Sequence, residues 1–147
     1  MHGLRSILLL MLMLLLAASL VSAGTVFKDS FGDLHADLAD ADKSGKVLVL
    51  VFSMEGCPGC RALEEKTLRD KAVQSFLQGH YELVRLNLRG SLPIVGPNGE
   101  KTTESGLAGK LGVFATPTVI VLDRNGRPLK RFFGGLPPAA FIEKMKG

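Results

Sequence analysis

Val47-Leu48-Val49-Leu50-Val51-Phe52, then Cys57-Pro58-Gly59-Cys60, then Arg61-Ala62-Leu63-Glu64-Glu65-Lys66: this stretch decides the fold. The first run has no polar break and is rich in β-branched residues, so it reads as a strand buried on both faces. The last run is made of good helix formers. Between them Cys57 falls at the helix N-cap, with Pro58, Gly59 and Cys60 as the first three helical residues and Gly56 just before. Proline suits that first position, because its missing N–H had no intrahelical partner and its φ is already helical.

The chemistry follows from this placement. An N-cap side chain accepts hydrogen bonds from the free N–H groups two and three residues on, here predicted from Gly59 and Cys60. The helix dipole adds partial positive charge at the same spot. Both favour the thiolate of Cys57, and such sites lower a cysteine pKa from about 8.5 into a range of about 3.5–7.5. Cys57 is therefore the expected attacking thiol, and Cys60, further inside the turn, the resolving one.

The chain has 147 residues and no cysteines beyond these two. Its start reads as a secretory leader: Arg5 supplies a basic flank, Ile7 to Ala18 a twelve-residue apolar run, and Val21-Ser22-Ala23 a cleavage site, so that 1–23 is a signal peptide and 24–147 one domain. A bilayer span needs about 20 residues, more than this run supplies; because Leu20 and Val21 could extend it, an uncleaved anchor is the alternative. No cysteine follows the cleavage site, which argues against a lipid-anchored precursor. Without the leader 17 basic residues face 14 acidic ones, a net +3 too mild to indicate nucleic acid. Exported domains use disulfides as staples between distant segments, but a bridge across two residues constrains the unfolded chain very little. The pair is there for reactivity.

Along the rest of the chain, Phe31, Leu34, Leu38 and Ala41 recur at helical spacing and predict a helix over Asp29 to Asp42. Asp29, Asp33, Asp37 and Asp40 fall on its solvated stripe. The helix opening at Pro58 is expected to run to about Arg69, with Asp70 capping another over Lys71 to Gln78. Tyr81 to Leu88 alternates as the next strand, and strand, helix, strand make a parallel crossover unit. Arg89 to Thr103 reads as a long loop. Its Gly99-Glu100-Lys101-Thr102 lacks phosphate-loop spacing. A short helix, Ser105 to Gly112, precedes a hairpin of Thr118 to Leu122 and Leu129 to Phe133 around Asn125-Gly126; Ala139 to Lys146 is the last helix.

A Cys-x-x-Cys pair has rivals. Haem attachment needs histidine next, and residue 61 is Arg. Cu(I) on Cys57, Cys60 and Met54 stays open as an alternative, although Met54 also reads as packing beside the site. Structural zinc would need two more ligands. His35 and His80 are the histidines of the mature chain and lack paired spacing, so both are expected to be exposed and no metal is assigned. A peptide-binding module without redox turnover is a third class.

With its flanking strand and helix, Cys57-x-x-Cys60 resembles the thioredoxin superfamily, and the likeness covers nearly all of the mature chain, through Thr116-Pro117 to the hairpin and last helix. The resemblance implies an α/β thioredoxin fold, a mixed sheet of about four strands with helices on both faces. It implies a cis bond at Thr116-Pro117 facing the disulfide, backbone pairing of Thr116 with an extended substrate, and close substrate approach at Gly134 or Gly135. More narrowly, Gly56-Cys57-Pro58-x-Cys60, Thr67-Leu68-x-Asp70-x-x-Val73, the extended loop and Gly135-Leu136-Pro137-Pro138 resemble the exported thioredoxin-like proteins of bacterial sulfur-oxidation clusters (SoxW type). The chain departs from ordinary thioredoxin in having Gly56 for a tryptophan, Pro58-Gly59 for Gly-Pro, and Val51 where a buried aspartate accepts the resolving thiol's proton. Glu55 or a water is the candidate replacement.

The function expected is periplasmic thiol–disulfide exchange on protein substrates, with no diffusible cofactor, as a reductase fed by a membrane thiol donor of the CcdA or DsbD type. A disulfide oxidase or isomerase stays open, since redox pairs in this superfamily span about 150 mV, or roughly 7 kcal/mol.

Overall fold

A computed structural model describes residues 26–147; the expected leader and its cleavage site lie outside the described residues. In chain order the elements are α1 (Leu34–Lys43), β1 (Val47–Ser53), α2 (Pro58–Ala62) running into a π-helical turn (Leu63–Thr67), α3 (Lys71–Leu77), β2 (Tyr81–Asn87), β3 (Pro93–Val95), β4 (Lys101–Thr103), α4 (Glu104–Lys110), β5 (Thr118–Leu122), β6 (Pro128–Phe133) and α5 (Pro138–Lys146). The main sheet has the order β2-β1-β5-β6. β1 is parallel to β2 and antiparallel to β5, and β6 is antiparallel to β5. This is the thioredoxin fold the sequence led us to expect.

β1 is apolar throughout because it is covered twice. Leu48, Leu50 and Phe52 join Leu34, Leu38 and Leu107 of α1 and α4 in one core cluster. Val49 and Val51 point the other way, into a cluster with Leu63, Val73, Leu77, Phe141 and Met145 from the helices of the opposite face. Each such side chain contributes about 1.5–3 kcal/mol of burial, so β1 is the strand the rest is built on. Its C-terminal end delivers the chain to Cys57.

Four expectations are corrected. The first helix starts at Leu34, with Asp33 as N-cap accepting the Ala36 N–H, rather than at Asp29. Phe31 is consequently outside the helix and 100% exposed. Asp37, placed on the solvated stripe, is buried, because Lys28 and Ser30 of the preceding arm reach its carboxylate. The Cys57 helix does not continue as α-helix to Arg69: it widens at Leu63–Thr67, where the Leu68 N–H reaches the Leu63 carbonyl at 2.8 Å. The long loop contains the β3–β4 hairpin, whose Val95 N–H also bonds the Gly32 carbonyl at 2.7 Å.

The β5–β6 hairpin is as expected, closed by a 2.8 Å bond from the Asp123 N–H to the Arg127 carbonyl. Asp70 caps α3 through the N–H groups of Ala72 and Val73.

Candidate active site

β1 ends at Ser53, and Gly56, at φ +73°, turns the chain so that Cys57 caps α2. Cys57 and Cys60 form a disulfide with Cα atoms 5.3 Å apart, so the structure is that of the oxidised protein. The Cys60 N–H donates to Cys57 Sγ at 3.1 Å. The second donor expected, the Gly59 N–H, makes no such bond; only Cys60 caps. Cys60 is 4% exposed while Cys57 is half-buried. The unequal exposure leaves Cys57 as the more accessible sulfur of the pair.

The Thr116–Pro117 segment lies against the pair, and its peptide bond is cis. Thr116 Oγ1 donates to Cys57 Sγ at 3.3 Å, and the Thr116 carbonyl oxygen is 3.5 Å from the same sulfur. In the disulfide that sulfur has no proton; in the reduced protein a thiol donates to the carbonyl, whereas a thiolate accepts from the hydroxyl and from the Cys60 amide. Hydrogen bonds to the charged form lower a pKa, and both donors here are neutral dipoles aimed at one atom.

Gly134 sits at φ +90°, and its N–H bonds the Pro117 carbonyl at 3.0 Å. No atom lies within 4 Å of where its Cβ would be, so the space beside it is open. Gly135 is different: a Cβ there would stand 2.7 Å from the Gly59 carbonyl oxygen. Its smallness serves contact with α2 within the molecule. Gly59 itself faces the Pro117 ring, a Cβ on it lying 3.1 Å from Pro117 Cδ. Pro58 is exposed at the start of the helix.

A cavity of about 440 Å³ opens beside the disulfide, with Cys57, Cys60, Ser53, Glu64, Arg85 and Glu104 in its wall. Val51 is packed in the apolar core, so no carboxylate reaches Cys60 from that strand position. Glu55 lines the cavity but is exposed at its rim. Glu64, four residues after Cys60, lines the same cavity; it takes a 3.4 Å bond from Ser53 Oγ and a 3.2 Å ion pair from Arg85. Sequence reasoning missed Glu64. The i, i+4 spacing from Cys60 was the available signal. Glu104 caps the Asn87 N–H at 2.9 Å across the cavity mouth.

Met54 also lines this cavity. His35 and His80 do not; both are exposed, with Nδ1 2.9 Å from the Pro97 carbonyl and 3.2 Å from the Gln78 carbonyl respectively. Among the described residues no group of three or more His, Cys, Asp or Glu is placed to hold a metal ion.

Comparison with known proteins agrees with this geometry. A family model described as a thioredoxin-like domain matches residues 34–146. The chain is 26% identical over 115 residues to the thiol:disulfide interchange protein DsbD 1 of Pseudomonas aeruginosa, a match covering 77% of this chain but 18% of that protein's length. Among solved structures it is similar to a thioredoxin from Thermus thermophilus, at 25% identity and TM-score 0.57 over 74% of this chain and 78% of that one. The oxidised DsbD C-terminal domain of Neisseria meningitidis shares the fold, at 19% identity and TM-score 0.56 over 77% and 87%.

Proposed function

The chain belongs to the thioredoxin-like domain family, and from that premise we propose that it is an exported thiol–disulfide oxidoreductase working as a reductase on protein disulfides. The observation that carries this is one sulfur, half-exposed Cys57, held between the Cys60 amide and Thr116 with its partner buried beneath it. In the reduced protein the Cys57 thiolate attacks a client disulfide, forming a mixed disulfide and releasing one client thiolate. Cys60 then loses its proton and attacks Cys57, expelling the second client thiolate. The client gains two electrons as two thiolates, which take up protons from water, and the protein is left as the Cys57–Cys60 disulfide. Thr116, Pro117 and Gly134 line the place where an extended client segment lies.

Glu64 is the proton acceptor for Cys60, acting through water in the shared cavity. Two facts support it: Val51 supplies no carboxylate, and Glu64 shares the cavity wall with the buried thiol. No cofactor enters this reading. Export is supported by the leader-like start of the sequence. A reductase outside the cytosol needs a thiol donor across the membrane, and similarity to part of a DsbD protein supports a donor of the CcdA or DsbD type. Service in sulfur oxidation rests on the Thr67-Leu68-x-Asp70-x-x-Val73 run and its neighbours in sequence.

Insulin reduction by the reduced protein tests the roles. Cys57→Ser abolishes turnover, and Cys60→Ser accumulates mixed disulfides; equal residual turnover in the two variants defeats the assignment. Direction is read from the reduction potential, near about −270 mV for a reductant and near about −120 mV for an oxidant. Met54 in the cavity wall favours one second reading, Cu(I) held by the two thiolates and the thioether. A competition titration against a Cu(I) chelator, with weak binding as the outcome, removes it.

A further inference from the structure

Thr67 is a polar residue with 1% exposure, at the end of the π-helical turn that extends the redox helix. A buried hydroxyl needs a partner, and Thr67 Oγ1 donates to the Leu136 carbonyl, 69 residues further on. Leu136 lies in the linker between β6 and α5, next to Gly135. There the linker meets α2 with no room to spare: a Cβ on Gly135 would stand 2.7 Å from the Gly59 carbonyl oxygen and 3.0 Å from the Ala62 Cβ. A Cβ on Gly59 would in turn lie 3.1 Å from Pro117 Cδ and 3.8 Å from the Gly135 nitrogen, and the Gly134 N–H bonds the Pro117 carbonyl at 3.0 Å. Linker, first turn of α2 and Pro117 are thus packed in one stack, all three in mutual contact beside the turn that carries Cys57 and Cys60.

The wide turn matters to this stack. Its extra residue changes where side chains fall around the helix axis relative to a regular α-helix, and Thr67, the last residue of the turn, faces the linker. Turns of this kind are frequent at functional sites.

We infer that Thr67 is a positioning residue for the redox pair: its bond to Leu136 pins the linker, the linker holds Gly135 against Gly59, and α2 is thereby held over Thr116 and Pro117. The inference rests on the reading of Cys57 as the attacking thiolate. Its consequence is a fixed 3.3 Å separation between the Thr116 hydroxyl and Cys57 Sγ, and hydrogen bonds weaken steeply once length or angle drifts.

The test uses the reduced protein and iodoacetamide, whose reaction rate against pH reports the Cys57 thiolate without any client. Thr67→Val keeps the volume and removes the hydroxyl; Thr67→Ser keeps the hydroxyl. In Thr67→Val the rate near neutral pH falls about threefold to tenfold, the range a weakened bond to a charged group supports, and the midpoint moves up. Thr67→Ser keeps the wild-type profile, and Gly135→Ala shifts it as Thr67→Val does. A Thr67→Val protein that melts earlier but keeps the wild-type pH profile overturns the inference, leaving Thr67 merely structural. Should Thr67→Val not fold, an unshifted Gly135→Ala profile overturns it instead. A wild-type Cys57 alkylated no faster than an ordinary cysteine overturns the reading of Cys57 itself, a separate failure.

Discussion

Lys28 and Cys57 both carry, or come to carry, a charge partly withdrawn from water, yet their surroundings differ in kind. The Lys28 ammonium lies 3.1 Å from Asp37 and 3.3 Å from Glu82, with Asp40 at 4.0 Å. Each of the two nearer carboxylates has a second partner, Ser30 on Asp37 and Lys46 on Glu82. Burial works against the charged lysine, but bonds to Asp37 and Glu82 outweigh it and hold the pKa above its ordinary 10.5. Around Cys57 the donors are an amide and a hydroxyl, with no opposite charge on the sulfur. A group neutralised on all sides stays where it is and fastens the N-terminal arm to β2 and α1. A charge steadied by neutral dipoles on two sides keeps a third side free to react.

The two places should therefore fail differently. The largest effect belongs to Lys28→Met, which strands two mostly buried carboxylates. Removing one partner of a buried pair costs about 3–5 kcal/mol, and the partial exposure here reduces that to about 2 kcal/mol. Urea unfolding shows the loss, while disulfide exchange per folded molecule is unchanged; a loss of exchange without a loss of stability breaks the comparison. The sign of the pKa adds a condition. A raised folded value means the stabilisation is complete below 10.5 and disappears only as pH rises through the raised value. The contribution of the Lys28 charge to the cost of Lys28→Met is therefore flat across neutral pH and shrinks in strong alkali.

At the other place Thr116→Val should leave stability nearly untouched and lower the thiolate reactivity of Cys57 about tenfold, the worth of one bond to a charged acceptor. Iodoacetamide rates against pH measure it, and an unmoved profile leaves the Cys60 amide as sole stabiliser. A smaller effect is expected of Glu64→Gln: resolution of the mixed disulfide slows several-fold, and its pH dependence flattens. Arg85 is half-exposed, so losing its pair with Glu64 costs less than about 1 kcal/mol. Stopped-flow decay of the mixed disulfide separates this kinetic loss from any stability loss.

The same contrast explains what was legible in the sequence. β1 and the Cys57 cap are local: six apolar residues and the order Cys-Pro-Gly-Cys carry their own instructions, and both formed where expected, the cap with the Cys60 N–H but not the Gly59 N–H. Phe31 and Asp37 were assigned to faces by helical period alone. That rule fails where a partner arrives from outside the helix, as Lys28 does for Asp37. The partners of Glu64 and Thr67 are hidden in the sequence for a related reason. They are Ser53, Arg85 and Leu136, brought near by sheet pairing and by the linker before α5. The π-helical turn has no proline or glycine to announce it, and the β3–β4 strands are three residues each, too short to show a period.

The smallest effect lies at the far end of β5, where Asp123 organises the hairpin turn. Its carboxylate accepts the Arg127 N–H, the Asn125 N–H and the Arg127 Nε–H, each at 2.9 Å. The Arg127 backbone N–H is the main cause of a pKa held below the ordinary 3.8; burial opposes it, and the Arg127 side chain and the Asn125 N–H reinforce it. A lowered folded value means this stabilisation is present above 3.8 and is lost as pH falls through the folded value. Asp123→Asn keeps an acceptor oxygen for the turn amides and removes the charge together with the oxygen that accepts the Arg127 Nε–H. The melting-temperature gap between wild type and Asp123→Asn should therefore be small and constant near neutral pH and should close in acid. A gap that persists below the carboxylate range would mean that the turn depends on the second acceptor oxygen rather than on the charge, and that Asp123 belongs with neither the neutralised lysine nor the dipole-held sulfur.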